Sequence, residues 1–550
     1  MSDQFCSVFT KDSPETADTK LEGPSYPTLP ELQIEWKGIE LLLSGLNPSK
    51  ASGPDEIPAR MLKSLSSEIA PVLSAIFNQS LDTGYLPAEW TCAWITPVFK
   101  KGAKSDPANY RPVSLTSIAC KLLEHCICTH VRGHLDAQGI LTPANHGFRK
   151  KHSCETQLLL TTHDLLRLRD QGFQVDVAIL DFSKAFDTVP HKRLLGKLEH
   201  YGIKGNVHRW IGNFLSGRKQ SVVVDGSFSQ QEDVLSGVPQ GTVLGPLLFL
   251  LHINDLPASV DPDTRCRLFA DDCLLYRKIE SLEDQLVLQN DLRRLQLWAA
   301  QWGMRFNASK CYVMSIHRGS SHLPFLYELC NTILKSVTEE KYLGVLIADD
   351  LSWSAHRNSV ITRANQKLGF LRRNLRGCPE ELKKLAYISI VRSSMEYASV
   401  IWEPYRDNHS KSLEAVQRKS ARWIKSNYTR KASVTHMLNS LELDTLQERR
   451  RISRLVFLYK ILKEPAHKDS VAVQPHDIDI VPSPRARRTP KGQPPKTSPK
   501  LDYSYIATSD ELLEHFVAKT VGDWNNLLQT QTAADTASSF KSQLQSARCP

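Results

Sequence analysis

Three carboxylates stand in settings from which they could bind divalent metal ions. Asp181 lies near the end of VDVAILDF, residues 175–182, an apolar run typical of a buried strand. Asp271 and Asp272 separate the two apolar halves of RLFADDCLLY, residues 267–276, which favours a β-hairpin with the acids at its turn. Mg²⁺ prefers oxygen ligands, and two such ions can stabilise the attacking and leaving oxygens of a phosphoryl transfer. The three acids therefore predict metal-assisted phosphoryl transfer if the fold brings them to one cleft.

Each of these acids also has a purely structural interpretation. An acidic pair at a hairpin turn is often only solvated, and an Asp after a strand often caps the next helix. Two adjacent like charges are costly without a cation, which favours metal binding only mildly. The residue types alone leave both interpretations open, so the surrounding elements must decide between them.

Helices are predicted on both sides of these acids. The apolar residues recur at helical spacing over the following segments: from about 39 to 81, 117–135, 153–170, 281–302 and 357–376. The chain after residue 376 is predicted to be all-helical to about 463, and a short helical tail is predicted from about 510 to 548.

Composition and charge fit a folded protein with a polyanionic partner. The chain has 550 residues, of which 41% are hydrophobic and 23% charged, so several subdomains are expected. Its formal net charge of +10 suits phosphate binding without requiring it. The twelve scattered cysteines favour buried thiols over a zinc site, and they fit a reducing compartment in the cytoplasm or nucleus. We expect neither a signal peptide nor a membrane span, because the sequence contains no sufficiently long apolar run.

Seven motifs in fixed order resemble those of reverse transcriptases of the non-LTR retrotransposon class. FADD at 269–272 resembles the aromatic-x-Asp-Asp box of that family. The others are NYRPVSLTSIACKLLE at 109–124, HGFRKKHSCETQLL at 146–159, AILDFSKAFDTVPHKRLL at 178–195, SGVPQGTVLGPLLFLLHINDLP at 236–257, WGMRFNASKC at 302–311 and KYLGVLI at 341–347. The resemblance covers about residues 40–460 and is weaker in the tail, where FVAKTVGDWNNLL is similar to the end of LINE-type, jockey-like proteins.

The resemblance implies which residues bind metal. Asp181 and Asp271 match the metal ligands, Asp272 matches the third carboxylate near the primer end, and the backbone carbonyl of Phe182 matches a further ligand. The implied cofactor is Mg²⁺, as two ions, with Mn²⁺ as a substitute.

The resemblance also implies a set of nucleotide-binding residues. These are Arg111, Phe182, Phe186, Gln240, Gly241 and Lys310. Arg111 would grip the triphosphate by bidentate contact, and Phe186 would reject a ribose 2′-OH by steric clash. Gln240 and Gly241 would contact the incoming nucleotide, and Lys310 would act near the leaving pyrophosphate. Without the motifs, Phe186 could equally be a core residue and Lys310 a solvated surface residue.

The implied fold is an α+β right-hand polymerase with fingers, a palm built from an antiparallel sheet plus helices, and a helical thumb. The predicted order is an N-terminal linker remnant at 1–38, fingers at 39–172, palm at 173–350, helical thumb at 351–465, a basic Pro-rich linker at 466–505 and a short helical segment at 506–550. The basic residues of 357–376 would face the template–primer backbone, although such a helix face is often only solvated.

The function implied is RNA-directed DNA polymerisation. The expected partners are an RNA template, a DNA or RNA–DNA primer duplex and dNTPs, with no membrane partner and no prediction of oligomeric state. QFCSVFT near the start resembles the linker after the endonuclease of LINE-type proteins, so we expect a chain that lacks the endonuclease and is a truncated reading frame. Two alternatives stay open. One is a catalytically silent RNA-binding relic or domesticated protein of the same fold. The other is another right-hand polymerase, such as an RNA-templated RNA polymerase, against which Phe186 argues, or an intron-encoded maturase, against which the NYRP and HGF motifs argue.

Overall fold

A computed structural model describes most of the chain. The described residues form many helices and five β-sheets. The described residues are 1–10, 21, 23, 25–319, 322–404, 407–463, 478–481, 500–503, 516–527, 532 and 534–546. Among them, no helix has the length and apolar character needed to cross a membrane.

Most of the helices lie before residue 463. They are α1 Ser2–Cys6, α2 Trp36–Ser44, α3 Ala59–Ser64, α4 Ser66–Thr83, α5 Ala88–Thr91, α6 Ile118–Ala137, α7 Cys154–Asp170, α8 Ala185–Thr188, α9 His191–His200, α10 Gly205–Leu215, α11 Gly245–Ile253, α12 Leu282–Trp302, α13 Ser354–Asn374, α14 Glu380–Ala386, α15 Ser393–Glu396, α16 Asp407–Ile424, α17 Val434–Ser440 and α18 Leu446–Lys463. Short 3₁₀ turns cover Pro107–Asn109, Leu256–Ser259 and Ala308–Lys310, a π-helical turn covers Tyr387–Arg392, and two tail helices cover Phe516–Asn525 and Ala537–Ser546.

The strands are mostly short. They are β1 Cys92–Phe99, β2 Tyr110–Leu115, β3 Gln174–Asp181, β4 Lys219–Val224, β5 Ser227–Phe228, β6 Glu232–Asp233, β7 Arg265–Phe269, β8 Asp272–Ile279, β9 Tyr312–Ile316, β10 Glu328–Leu329, β11 Thr332–Ile333, β12 Lys335–Ser336, β13 Glu339–Tyr342, β14 Val345–Ala348, β15 Ile478–Val481 and β16 Lys500–Tyr503.

A central sheet in the order β12-β9-β3-β8-β7 carries the predicted catalytic acids. Strand β3 pairs antiparallel with both β8 and β9, and β7 pairs antiparallel with β8. The predicted antiparallel sheet is therefore largely confirmed, with the difference that β12 runs parallel to β9. A second sheet, β2-β1-β4-β5 with β6 paired to β4, joins β1 to β2 antiparallel and β1 to β4 parallel.

Strand β3 separates the two large hydrophobic cores, because successive side chains of a strand point to opposite faces. Ala178 and Leu180 pack into the core formed with α2–α6 and α9–α12. Val175 and Val177 pack into the other core, which contains α7, β13–β14 and the helices from α13 to α18. Asp181, the last residue of β3, thus sits at the end of a strand that is buried on both faces.

The structure confirms the main elements predicted from the sequence. The predicted helices at 153–170, 281–302 and 357–376 correspond to α7, α12 and α13, and the predicted strand at 175–182 is β3. The basic Pro-rich segment falls largely outside the described residues.

Three predicted elements differ from the structure. The helical segment predicted from 39 to 81 is interrupted between α2 and α3, where SGLNPSKASGPDEIP is rich in glycine and proline, residues that break helices. The acids of the hairpin are not both in its turn, because Asp272 already begins β8. The first residues, expected as part of a linker remnant, form α1 with Phe5 buried.

Candidate active site

The hairpin that carries Asp271 closes with a two-residue turn. Phe269 pairs with Asp272, so only Ala270 and Asp271 remain between β7 and β8. Ala270 has φ of 55°, in the left-handed region that is costly for any residue with a Cβ. The surrounding structure must therefore hold this turn in place.

Asn145 supplies that support. Its buried side-chain oxygen accepts hydrogen bonds from the backbone N–H of Ala270 at 3.2 Å and of Gly147 at 3.0 Å. The same segment lies beside β7, where the N–H of His146 donates to the carbonyl of Leu268 at 3.0 Å. A Cβ on Gly147 would lie 2.4 Å from the backbone nitrogen of Ala270, so only glycine fits at this position. Residues 145–147 therefore support the turn that carries Asp271.

Asp181 faces this hairpin directly. It is the register partner of Asp272 across the β3–β8 pair, so all three predicted acids lie at one end of the central sheet. The backbone of Asp181 is fixed by the 302–311 segment: Asn307 N–H donates to its carbonyl at 2.8 Å, and its own N–H donates to Cys311 Sγ at 3.4 Å. We call Asp181, Asp271 and Asp272 the carboxylate corner.

The acids of the hairpin hold their protons more tightly than free aspartates. Burial and then the negative charge of Asp181 raise the pKa of Asp271, while Lys100 and Arg111 oppose this rise. Although the Asp272 side chain is solvent-exposed, desolvation by neighbouring groups, followed by the charges of Asp271 and Asp181, raises its pKa to about 6. This crowding of negative charge is what a bound cation would relieve.

The donor chemistry of the corner fits a hard divalent cation, since carboxylate oxygens are the ligands that Mg²⁺ prefers. Among the residues that the structure describes, no three His, Cys, Asp or Glu side chains are gathered into a ready metal cluster. Phe182, whose carbonyl was the predicted fourth ligand, has a buried ring stacked on Phe306 with centroids 4.3 Å apart. Its metal-binding role stays a prediction.

Lys310 lies beside the corner. Its ammonium is 3.5 Å from Asp181 Oδ2, and more than half of its side chain is exposed. An exposed lysine next to one acid is able to meet an anionic ligand as well, since such a pair contributes little to stability. Lys100, which follows β1 directly, is a second cation of this region that the sequence analysis did not single out; its charge acts on both Asp271 and Asp272.

Phe186 is half-buried between two other rings. It stacks on Phe249 with centroids 4.2 Å apart and meets Phe148 edge-on at 6.0 Å. Phe249 belongs to an apolar run of α11 that is typical of a core helix, so nothing in the sequence marked it as a neighbour of the site. The pair leaves Phe186 rigid and partly accessible.

Gln240 and Gly241 lie in the loop of residues 236–244, which we call the PQG loop. Gln240 Nε2 donates to Asp187 Oδ1 at 2.8 Å, and its backbone carbonyl accepts from Ser114 N–H of β2 at 2.8 Å. Gly241 has φ of 106°, and a Cβ there would lie 2.7 Å from the Ser114 carbonyl. The loop is thereby fixed against β2 at a distance that only glycine permits.

Glu124 holds the far end of the PQG loop. Its buried Oε2 accepts from the N–H groups of Val243 at 2.7 Å and Leu244 at 3.0 Å, at the start of α11. Burial raises the pKa of Glu124, and these two hydrogen bonds oppose the rise. The sequence placed Glu124 in a motif without showing this contact.

The charge of Arg111 acts on both parts of the site. It is exposed on β2, opposite Val98 of β1. Burial raises the pKa of both Asp187 and Asp271, and the positive charge of Arg111 opposes this in each case. The predicted residues thus converge on one region between the central sheet, β2 and the PQG loop.

Asp255 of the IND segment lies away from this region and has a structural role. It pairs with the fully buried Lys197, whose ammonium also lies 3.6 Å from the centroid of the Trp302 ring, and it accepts from Trp298 Nε1 at 2.9 Å.

Comparison with known proteins identifies the segment that contains this region. Residues 99–347 match the family model described as reverse transcriptase (RNA-dependent DNA polymerase). The chain is 29% identical over 384 residues to the probable RNA-directed DNA polymerase from transposon X-element of Drosophila melanogaster, covering 68% of this chain and 42% of that protein. It is 27% identical over 419 residues to the RNA-directed DNA polymerase from mobile element jockey of the same species, covering 74% and 45%.

A third relative is matched over a longer stretch. The probable RNA-directed DNA polymerase from transposon BS of Drosophila melanogaster is 28% identical over 472 residues, covering 82% of this chain and 50% of that protein. The chain therefore spans half or less of the length of these three relatives.

Proposed function

We propose that this chain is a member of the reverse transcriptase family and an RNA-directed DNA polymerase of the non-LTR retrotransposon type. The observation that carries the proposal is the carboxylate corner. Asp181 faces Asp272 in register across β3 and β8, Asp271 stands in the adjoining turn, and all three lie within the matched segment. The reaction is transfer of a nucleotidyl group from a dNTP to a primer 3′-OH.

The architecture proposed is a right hand. Residues 39–172 are the fingers, 173–350 the palm and 351–465 the thumb. The location of the central sheet within 173–350 and the helical character from α13 to α18 support these boundaries.

Asp181, Asp271, Asp272 and the carbonyl of Phe182 would hold Mg²⁺, as two ions, with Mn²⁺ as a substitute. When bound, the metal would supply Lewis-acid stabilisation of the oxygens that gain charge. Lys310, beside Asp181, would stabilise the charge that develops on the leaving pyrophosphate or protonate it.

The remaining residues would select and orient the dNTP. Arg111 would hold the triphosphate in a bidentate grip from the exposed face of β2. Phe186, held rigid by Phe249, would reject the 2′-OH of a ribonucleotide by steric clash. Gln240 and Gly241 would contact the nucleotide from the PQG loop.

Helix α13 would bind the backbone of the template–primer duplex. Its exposed Arg363, Arg372 and Arg373 are basic residues on the side away from the buried apolar stripe. Contacts of this kind position a duplex without reading its sequence. The proposed template is RNA, and the primer is DNA or an RNA–DNA duplex.

Primer extension tests the proposal. The full chain is incubated with an RNA template, a labelled DNA primer, dNTPs and Mg²⁺, and Asp271→Asn is compared with wild type. We expect wild type to extend the primer and Asp271→Asn to lose about a hundredfold or more of that rate. Asp263→Asn, an exposed aspartate outside the site, should behave as wild type. RNA binding without extension by wild type would replace the proposal with a catalytically silent RNA-binding protein.

A further inference from the structure

The side chain of Gln240 is oriented by Asp187. Gln240 Nε2 donates to Asp187 Oδ1 at 2.8 Å. An ionised carboxylate only accepts hydrogen bonds, so the amide must turn its NH₂ group toward Asp187. The carbonyl oxygen of the Gln240 amide has no protein donor among the described residues and is left to accept from another group.

Asp187 is itself held through its backbone. Its carbonyl accepts from Ser236 Oγ at 2.8 Å, and Ser236 Oγ accepts from the N–H of Thr10 at 2.8 Å. Thr10 Oγ1 also donates to the carbonyl of Thr188 at 2.8 Å. Residues 1–10, which we call the N-terminal strap, therefore connect the Asp187 turn to the first residue of the PQG loop.

A close backbone contact joins the loop to the same turn. A Cβ on Gly237 would lie 2.7 Å from the carbonyl oxygens of both Phe186 and Asp187. Val238 N–H donates to the carbonyl of Phe186 at 2.8 Å. The turn that presents the Phe186 ring is thus the turn that carries the carboxylate for Gln240.

The strap also closes the space behind this contact. A cavity beneath the loop is lined by Phe5 and Phe9 of the strap together with Ser114, Asp187, Ser236 and Gln240. Phe5 is buried against Ala93, Ile95 and Val222 of the second sheet. The Asp187–Gln240 bond is itself part-buried, and a hydrogen bond to a carboxylate is stronger in such a setting than in open solvent.

We propose that Asp187 is a positioning residue for the incoming dNTP. It fixes the Gln240 amide with its carbonyl oxygen as an acceptor for an N–H or O–H group of the nucleotide, and the N-terminal strap holds Asp187 in place. The inference rests on the proposed function, since it concerns the same nucleotide site.

Single-nucleotide incorporation by the full chain tests this role. Asp187→Ala should raise the KM for dNTP about tenfold and change kcat less than about threefold, because the lost contact is to a charged group. Asp187→Asn should have a KM close to that of wild type, since the Asn carbonyl also accepts from Gln240. Ser236→Ala, which breaks the link to the strap, should raise the KM about threefold.

A double-mutant cycle separates positioning from a general structural effect. If Asp187 acts through Gln240, the double variant Asp187→Ala with Gln240→Ala should have the same KM as Gln240→Ala alone. The proposal would be overturned if the effects of the two substitutions on KM multiplied in the double variant. It would also be overturned if Asp187→Ala lowered only kcat. Asp263→Ala serves as the matched control.

Failure of the proposed function would be visible separately, as absence of extension by wild type. In that case the affinity of a fluorescent dNTP for the chain with bound primer–template replaces KM. A tenfold loss in Asp187→Ala that Asp187→Asn restores would support the positioning role. Equal affinities of wild type and Asp187→Ala would refute it.

Discussion

The carboxylate corner and the PQG loop are held by two different kinds of contact. The corner is built from neighbours in one sheet, where the register of β3 with β8 sets Asp181 opposite Asp272. The loop is held by side-chain and backbone contacts from segments far away in the sequence, such as Glu124 and Ser114. The sequence pattern indicates the strands that form the corner, although Asp181 and Asp272 lie far apart in the sequence, whereas the contacts of the loop leave no such pattern.

The corner also depends on long-range contacts, and among these Asn145 gives the largest expected effect outside the acids themselves. Asn145→Leu removes the acceptor for two N–H groups, those of Ala270 and Gly147, while preserving approximate side-chain volume. Two unsatisfied donors cost about 2 kcal/mol or more, so the turn should shift and kcat for primer extension should fall about thirtyfold.

The matched variant is Asn145→Asp, whose carboxylate still accepts from both N–H groups and should lose less activity than Asn145→Leu. Thermal unfolding of both proteins shows whether the fold is intact. A fully active Asn145→Leu would mean that the hairpin needs no such support.

In the sequence, Phe186 lies between Asp181 of the carboxylate corner and Asp187, which contacts the PQG loop. A substitution of Phe186 therefore tests the segment that joins the two regions. Phe186→Ala removes the ring that stacks on Phe249, so the preference for dNTP over rNTP should fall about tenfold. The measurement is the ratio of kcat/KM for one dNTP and its matching rNTP. Phe148→Ala removes only the edge-on neighbour and should change this ratio less. An unchanged ratio in Phe186→Ala would leave the ring as a packing residue.

Gly241 gives a smaller expected effect than Asn145 or Phe186 and tests the loop alone. Gly241→Ala would place a methyl group 2.7 Å from the Ser114 carbonyl at a φ of 106°, so the loop must move away from β2. We expect the KM for dNTP to rise about fivefold with little change in kcat.

Gly226→Ala is the control for backbone strain. Gly226 has φ of 80°, but a methyl group added there would have no neighbouring atom within 4 Å, so this variant carries the strain without the clash. Equal KM values for the two variants would mean that the close approach to Ser114 is unimportant for nucleotide binding.

Much of the corner could be predicted from the sequence because the spacing of apolar residues and acids indicates its strands and the neighbouring helices. Apolar runs ending in acids predicted β3 and the β7–β8 hairpin, and helical spacing predicted α7, α12 and α13. The error in the hairpin was one residue, since pattern alone does not specify whether the turn has two residues or more. Residues 236–257 were identified only by resemblance.

The contacts that hold the site could not be predicted in the same way. Asn145 acts on Ala270 across 125 positions, and Glu124 acts on Leu244 across 120. The contact of Asp187 with Gln240 gave no signal in the sequence, because the two residues lie 53 positions apart. The strap was interpreted as part of a linker, since the polar and apolar residues of a five-residue helix give too little periodicity to detect.

Metal binding tests the central claim most directly, because it does not require turnover. Mn²⁺ is titrated into the full chain with a bound primer–template whose primer lacks a 3′-OH, and free Mn²⁺ is measured by electron paramagnetic resonance. We predict binding by wild type and Asp263→Asn, and loss of at least about tenfold in affinity for Asp181→Asn and for Asp271→Asn. Equal Mn²⁺ affinity in wild type and both variants would contradict the assignment of the carboxylate corner as the metal site.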